Sequence, residues 1–237
     1  MNEMNEFGQP IGHDLSDWQA PPFPEKAPIE GRYCRLEPLS VDRHVVDLFA
    51  AKALDEKGEN WTYLPYGPFS DRMEYTNWIE SVASAQDPQF YAVILKTSGE
   101  AVGVLSYLRI EPQVGSIEVG HIHFSKRVQK TPAATEAIFL LMERAFDRGY
   151  RRFEWKCDSL NAPSCRAAER FGFSFEGIFR QATIYKNRNR DTAWYSVIDS
   201  EWSALKEAFL RWLHPDNFDD SGNQRSSLRE LAHSAGK

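Results

Sequence analysis

Apolar and polar residues follow a period of two in some stretches of this chain and a helical period in others, and the switches between them outline its elements. Residues 33–39 predict a first strand. Ser40 then stands as an N-cap before a helix carrying Val45, Val46, Leu48 and Phe49 on one side. A turn-rich aromatic run, W-T-Y-L-P-Y-G-P-F over 61–69, leads to a second helix, capped by Asp71 and carrying Met73, Trp78, Ile79 and Val82 in register. Residues 90–96, 102–110 and 115–124 are β-rich and separated by S-G-E and E-P-Q-V-G, which predicts an antiparallel meander. A helix over 133–148 follows, with Ile138, Leu141, Met142, Ala145 and Phe146 as its buried stripe and Gly149 as its stop. Next come a strand over 152–157 and a helix over 162–171 stopped by Gly172. A final hairpin pairs 173–179 with 192–198 through the basic segment Y-K-N-R-N-R-D, and a last helix carries Trp202, Leu205, Phe209 and Leu213.

The flanks read differently. Gly8, Pro10, Gly12, Pro21, Pro22, Pro24 and Pro28 preclude a long helix or central strand over 1–31. That segment is expected to be an extended arm that packs against the domain or a partner chain through Phe7, Ile11, Leu15, Trp18 and Phe23. The polar tail, 214–237, is expected to be loosely held. One domain over 32–213 accounts for the remainder, and a chain of 237 residues with 42% hydrophobic residues and 7 Trp has enough apolar surface for a substantial core.

Three cysteines, Cys34, Cys157 and Cys165, include no C-x-x-C pair, so neither a disulfide framework nor a metal site is indicated. A net charge of −6 argues against nonspecific nucleic-acid binding. No run approaches a membrane span, and the polar, acidic start lacks the form of a secretory signal. The reading is a soluble, cytoplasmic protein with no nucleic-acid or membrane partner.

The candidate chemistry lies between 117 and 173. The strand I-E-V-G-H-I-H-F runs through the turn Q-K-T-P-A-A-T, Gln129 to Thr135, into a helix whose free amides and dipole suit a pyrophosphate. After another strand, N-A-P-S-C-R-A-A-E-R-F-G-F opens a helix on Asn161, itself a good N-cap.

In this order the segment resembles the core of the GCN5-related N-acetyltransferases, particularly the branch that acetylates amino termini of ribosomal proteins. The resemblance implies an α/β fold with a splayed, largely antiparallel seven-stranded sheet flanked by helices. It also implies acetyl-CoA as co-substrate and an amine acceptor, either a protein amino terminus or a small molecule, and it allows a homodimer. The family's turn reads Q/R-x-x-G-x-G/A. Gln129 and Ala134 match its ends and Pro132 replaces its middle glycine, with Lys130, Thr131 and Thr135 available for compensating contacts and Phe124 and Ala133 beside them. By the same resemblance Asn161 contacts the pantetheine arm and Ser164 lies close to the sulfur. The family's frequent tyrosine acid is replaced by Ala168, which leaves Ser164 as the nearest candidate acid.

Glu118 is the expected general base. His121 and His123 are alternatives, since alternation places them on the opposite strand face unless the strand bulges. Trp61, Tyr63 and Tyr66 either shape the acceptor pocket or plug the core. The thiols of Cys157 and Cys165 have no recognisable base and carboxylate partners, so they read as structural. Against the transferase stand a non-catalytic CoA-binding or regulatory module, suggested by Pro132 and Ala168, and a protein-interaction domain whose working part is the arm over 1–31.

Overall fold

The computed structural model describes residues 3–235. The arm opens with a small antiparallel pair, β1 (Glu3–Met4) and β2 (Pro10–Ile11). The main body runs β3 (Ile29–Glu30), β4 (Cys34–Pro38), α1 (Val41–Lys52), α2 (Arg72–Ala83), β5 (Gln89–Leu95), β6 (Ala101–Glu111) and β7 (Ser116–Phe124). It continues through α3 (Pro132–Asp147), β8 (Arg152–Asp158), α4 (Ala162–Arg170), β9 (Ser174–Tyr185), β10 (Arg188–Ile198), α5 (Asp199–Trp212) and α6 (Leu228–Ala235). The sheet order is β3-β4-β5-β6-β7-β8-β10-β9. Every pairing is antiparallel except β7 with β8. Seven of these strands are those expected for the fold. The eighth, β3, is a two-residue edge supplied by the arm.

Helices cover both faces. Along β5, Phe90, Ala92 and Ile94 point into a core shared with α1 and α2, while Tyr91 and Val93 point into the larger core under α3, α5 and α6. Burial on both sides explains why this strand reads as a continuous apolar run rather than an alternation. The α3 helix is tied to β4 by Glu136, a buried carboxylate that accepts the backbone N–H groups of Arg32 (2.7 Å), Tyr33 (2.7 Å) and Cys34 (2.8 Å). Its side chain fills the space that a Cβ on Gly31 would take, 2.5 Å from Oε2. Gly172 does similar work after α4. Its φ of +86° turns the chain toward β9, and a Cβ there would meet Leu205 at 2.6 Å.

Three expectations are corrected. The tail is not loosely held: Phe218 packs against the main core, and Leu228 and Leu231 of α6 are buried in it. A few apolar anchors in a polar segment are enough for this docking, too few to register as a pattern. In the arm, Phe7, Ile11, Leu15 and Phe23 are exposed, so it is their packing against the domain that is corrected. The arm is gripped instead through its backbone carbonyls, which accept from Gln89 (Pro24 O, 2.8 Å) and Arg144 (Ala27 O, 2.7 Å), with Trp18 under Arg151. A proline-rich segment leaves many carbonyls unpaired, and these are what it offers. The last hairpin is also longer than expected. β9 and β10 extend through the basic segment to a two-residue turn at Lys186 and Asn187, both in the left-handed region (φ 48° and 58°). Polar residues on an edge strand need no apolar alternation to pair.

Candidate active site

The site exists because two parallel strands part. β7 and β8 pair from Ser116 with Arg152 as far as Val119 with Trp155, and no further. Beyond that point the edge of β7 from Gly120 to Phe124 has lost its partner, which leaves its N–H and C=O groups facing a gap. A cavity of about 1190 Å³ fills the gap, and Tyr63, Glu118, His121, Thr135, Asn161 and Ser164 are among the residues that line it.

At one end stands Glu118, about 2% exposed. Arg109 Nη1 donates to its Oε2 at 2.7 Å, and Lys156 Nζ lies 3.1 Å from the same oxygen. Lys156 also pairs with Glu154 at 2.6 Å and sits over the Trp194 ring at 3.8 Å. Burial pushes the Glu118 carboxyl above its ordinary value, and the two cations pull in the other direction. Burial is the larger influence, so the carboxylate is both ion-paired and more basic than a surface glutamate.

The register of β6 and β7 shifts between Ser106–Gly120 and Val104–His123, so two residues of β7 oppose one of β6. His121 occupies this bulge with φ 52°. The bulge cancels the alternation that would separate them, and Glu118, His121 and His123 all line one cavity. His121 Nδ1 lies 3.2 Å from the Tyr66 hydroxyl. His123 stacks on Trp61 with centroids 3.8 Å apart, and its Nε2 is buried with no hydrogen-bond partner among the described residues. Burial pushes both imidazoles down to about 4, so they are neutral at physiological pH.

The aromatic run divides. Tyr63 lines the cavity, its hydroxyl donating to Leu160 O at 3.1 Å. Trp61 and Tyr66 do not line it. Trp61 is buried beneath His123, Tyr66 packs on Trp78, and the two act as a plug that supports the histidines. Of the two readings, pocket wall or core plug, Trp61 and Tyr66 take the second, because their ring faces are already occupied by other rings.

At the other end, the turn after β7 delivers the chain to α3. Phe124, Gln129, Lys130, Thr131, Pro132, Ala134 and Thr135 line the cavity. Gln129 Nε2 donates to Phe124 O at 2.7 Å and so serves to shape the turn. Pro132 is at N1, where a helix has no use for an N–H, so the helix is undisturbed and only a donor toward a ligand is lost. Ala134 N turns back to Thr131 O at 3.2 Å. Ala133 faces the core with its side chain and can offer only its amide. Opposite, Asn161 Oδ1 accepts from Ser164 N at 3.2 Å, capping α4 and leaving its Nδ2 free to donate. Ser164 Oγ accepts from Trp155 Nε1 at 3.0 Å, so its own proton is directed elsewhere. Cys157 and Cys165 face each other at 3.7 Å, and burial pushes the Cys157 thiol up to about 12.

Sequence reasoning missed Arg109, Lys156, Trp194 and Arg170. A signal for Lys156 was present: β8 reads R-F-E-W-K-C-D, with charges at every second position on one face. A cleft with free strand amides, a helix start and two buried nitrogens in its wall, His123 Nε2 and Trp194 Nε1, that have no partner among the described residues fits a long phosphorylated thioester with an amide-bearing arm.

Comparison with known proteins agrees with this geometry. Residues 34–174, more than half of the chain, match the description "Acetyltransferase (GNAT) domain". A GCN5-related N-acetyltransferase structure from Brucella melitensis superposes with a TM-score of 0.91 at 49% identity, covering 92% of this chain and 100% of that one. A probable GNAT-family acetyltransferase from Chromobacterium violaceum gives a TM-score of 0.76 at 42% identity, covering 82% and 98%. Among curated proteins, the ribosomal-protein-serine acetyltransferase of Escherichia coli K12 is 33% identical over 104 residues, 43% of this chain and 58% of that protein. With its parted β7 and β8 and this degree of likeness, the chain belongs to the GNAT acetyltransferase family and is an N-acetyltransferase that uses acetyl-CoA.

Proposed function

We propose that this protein transfers the acetyl group of acetyl-CoA directly to a primary amine, with Glu118 as the general base and Ser164 assisting departure of the thiol. The observation that carries this reading is the position of Glu118. It is a buried carboxylate on the last stretch of β7 still paired with β8, just before the strands part, in the same cavity as Ser164.

Bound acetyl-CoA supplies the activated thioester. The acceptor ammonium must lose a proton to become a nucleophile, and Glu118 is raised toward that task by burial while Arg109 and Lys156 hold its orientation. Beyond Val119 the edge of β7 has no β8 partner, and backbone N–H groups there are fixed dipoles suited to stabilising charge that develops on the carbonyl oxygen. Burial lowers the basicity of His121 to about 4 while it raises that of Glu118, so Glu118 is the stronger base and His121, 3.2 Å from the Tyr66 hydroxyl, is a positioning neighbour. Ser164, fixed as an acceptor by Trp155, retains a proton to offer the sulfur. With the Cys157 thiol pushed up to about 12 and both thiols facing each other, neither cysteine is set up as a nucleophile, which favours direct transfer over an acetyl-enzyme.

The ribosomal-protein-serine acetyltransferase relative makes a peptide amino terminus beginning with serine the first acceptor to try, with small primary amines beside it. Release of free thiol from acetyl-CoA is measured across that panel for the wild type and Glu118→Gln. Amine-dependent release in the wild type, lost in the variant, is expected. Acetyl-CoA binding without amine-dependent release, or full activity in the variant, would overturn the reading.

A further inference from the structure

Arg170, the last residue of α4, reaches the first turn of α3, where Nη1 donates to Thr135 Oγ1 at 3.1 Å. Its guanidinium lies over the rings of Trp212 (4.9 Å) and Phe171 (5.1 Å) and lines the cleft. Among the described residues no carboxylate pairs with it, and burial is what lowers its pKa. A half-buried guanidinium with one neutral partner and no anion, beside a helix start that also attracts anions, leaves most of its five donors unused. Arg170 stands six residues beyond Ser164 on the same helix, about 9 Å along its axis. It is therefore displaced from the sulfur end of the cleft toward the end that must hold phosphate.

The C-terminal segment meets it there. Phe218 and Gln224 are bridged across a tight turn. Inside the turn the Asp219 carboxylate accepts from Ser221 N (2.9 Å), Asn223 N (2.8 Å) and Asn223 Nδ2 (3.2 Å). Trp212 Nε1 donates to Gln224 Oε1 at 2.8 Å, Phe218 meets the Trp212 ring edge-on at 5.2 Å, and Leu228 and Leu231 anchor α6 in the core. Held this way, Gly222, Asn223 and Gln224 line the same cavity as Thr135 and Arg170. The tail is thus a pre-built wall that continues the cleft past the phosphate region.

We propose that Arg170 and the turn 218–224 form a clamp for the phosphorylated adenosine end of the cofactor. Arg170 supplies positive charge to the phosphates where Pro132 has removed an amide donor, and residues 222–224 wall the nucleoside. This assignment rests on the acetyl-CoA reading of the cleft and adds to it a residue outside the α3 turn and a segment that lies beyond the family-matched region, 34–174.

The test is calorimetric titration of the full-length protein with CoA, in the wild type, Arg170→Gln, Arg170→Lys and the double variant Asn223→Ala/Gln224→Ala, with thermal midpoints recorded for each. Arg170→Gln is expected to weaken CoA binding by about 30-fold and Arg170→Lys by less than about fivefold, because lysine keeps the charge but not the fork. The double variant is expected to lose about three- to tenfold. Both Arg170 variants should melt close to the wild type, and the double variant, which also removes the hydrogen bonds to Trp212 and Asp219, should melt slightly lower. Wild-type binding left unchanged by Arg170→Gln, or lost equally in Arg170→Gln and Arg170→Lys, would overturn the clamp and leave the acetyl-CoA reading intact. A wild type that bound no CoA would remove both.

Discussion

The two ends of the cleft are built from different materials. In the reading proposed above, recognition at the cofactor end falls mainly to backbone: the free edge of β7, the start of α3 and the capped start of α4, with Arg170 as a charged side chain beside them. At the acceptor end it falls to side chains brought from distant positions, with Glu118 held by Arg109 of β6 and Lys156 of β8, and His121 and His123 propped by Tyr66 and Trp61 from the loop before α2. Backbone recognition tolerates substitution because most side chains can accompany the same amide. A network of buried charges and rings does not, since removing one member leaves the others unsatisfied.

The contrast can be broken by experiment. The largest effect is expected from Glu118→Gln, a loss of about 10²- to 10⁴-fold in kcat with little change in acetyl-CoA affinity, read by steady-state kinetics beside calorimetry. In the wild type, kcat/KM should rise with pH through the elevated pKa of Glu118, because only the ionised carboxylate can accept the proton. A loss confined to acetyl-CoA affinity would show that the two ends are not separable.

Next in size is the acid sensitivity of the acceptor end. His121 and His123 have folded pKa values of about 4 against 6.5 unfolded, so the unfolded chain binds more protons between those values. Stability that is full above pH 6.5 should therefore be lost progressively as pH falls toward 4, by on the order of 3 kcal/mol for each histidine. Urea midpoints across that range check this. His123→Phe, which keeps the stack on Trp61, should flatten the profile.

Smaller effects are expected at the cofactor end and the rim. Ser164→Ala should lower kcat by about tenfold, less than a full general acid would cost, with CoA affinity retained. Tyr63→Phe removes one partly exposed hydrogen bond to Leu160 O and should change the acceptor KM by less than about threefold.

The same contrast explains which features are legible in the chain. The α3 turn and the α4 cap are local: each is a run of consecutive residues whose caps, helix start and stop are visible in order, so Asp71, Pro132 and Asn161 fall where expected. The bulge that reconciles Glu118 with His121 leaves no such mark. Neither does the pairing of Arg109 and Lys156 to one carboxylate, because both depend on which strands lie side by side. The docked tail is illegible for a related reason, since it depends on two leucines and a phenylalanine meeting a core formed far upstream.

By itself, then, the sequence determined the succession of strands and helices and the place where α3 begins, because periodicity, capping and turn chemistry act over a few residues. Only the tertiary structure decided that β7 and β8 part after Val119 and that a bulge brings His121 into the cavity that Glu118 lines. It alone decided that Trp61 and Tyr66 are a floor rather than a wall, and that the C-terminal turn reaches the cleft beside Arg170. Those features depend on contacts between residues far apart in the chain, whose cost and gain are settled only when the whole sheet and both cores are assembled.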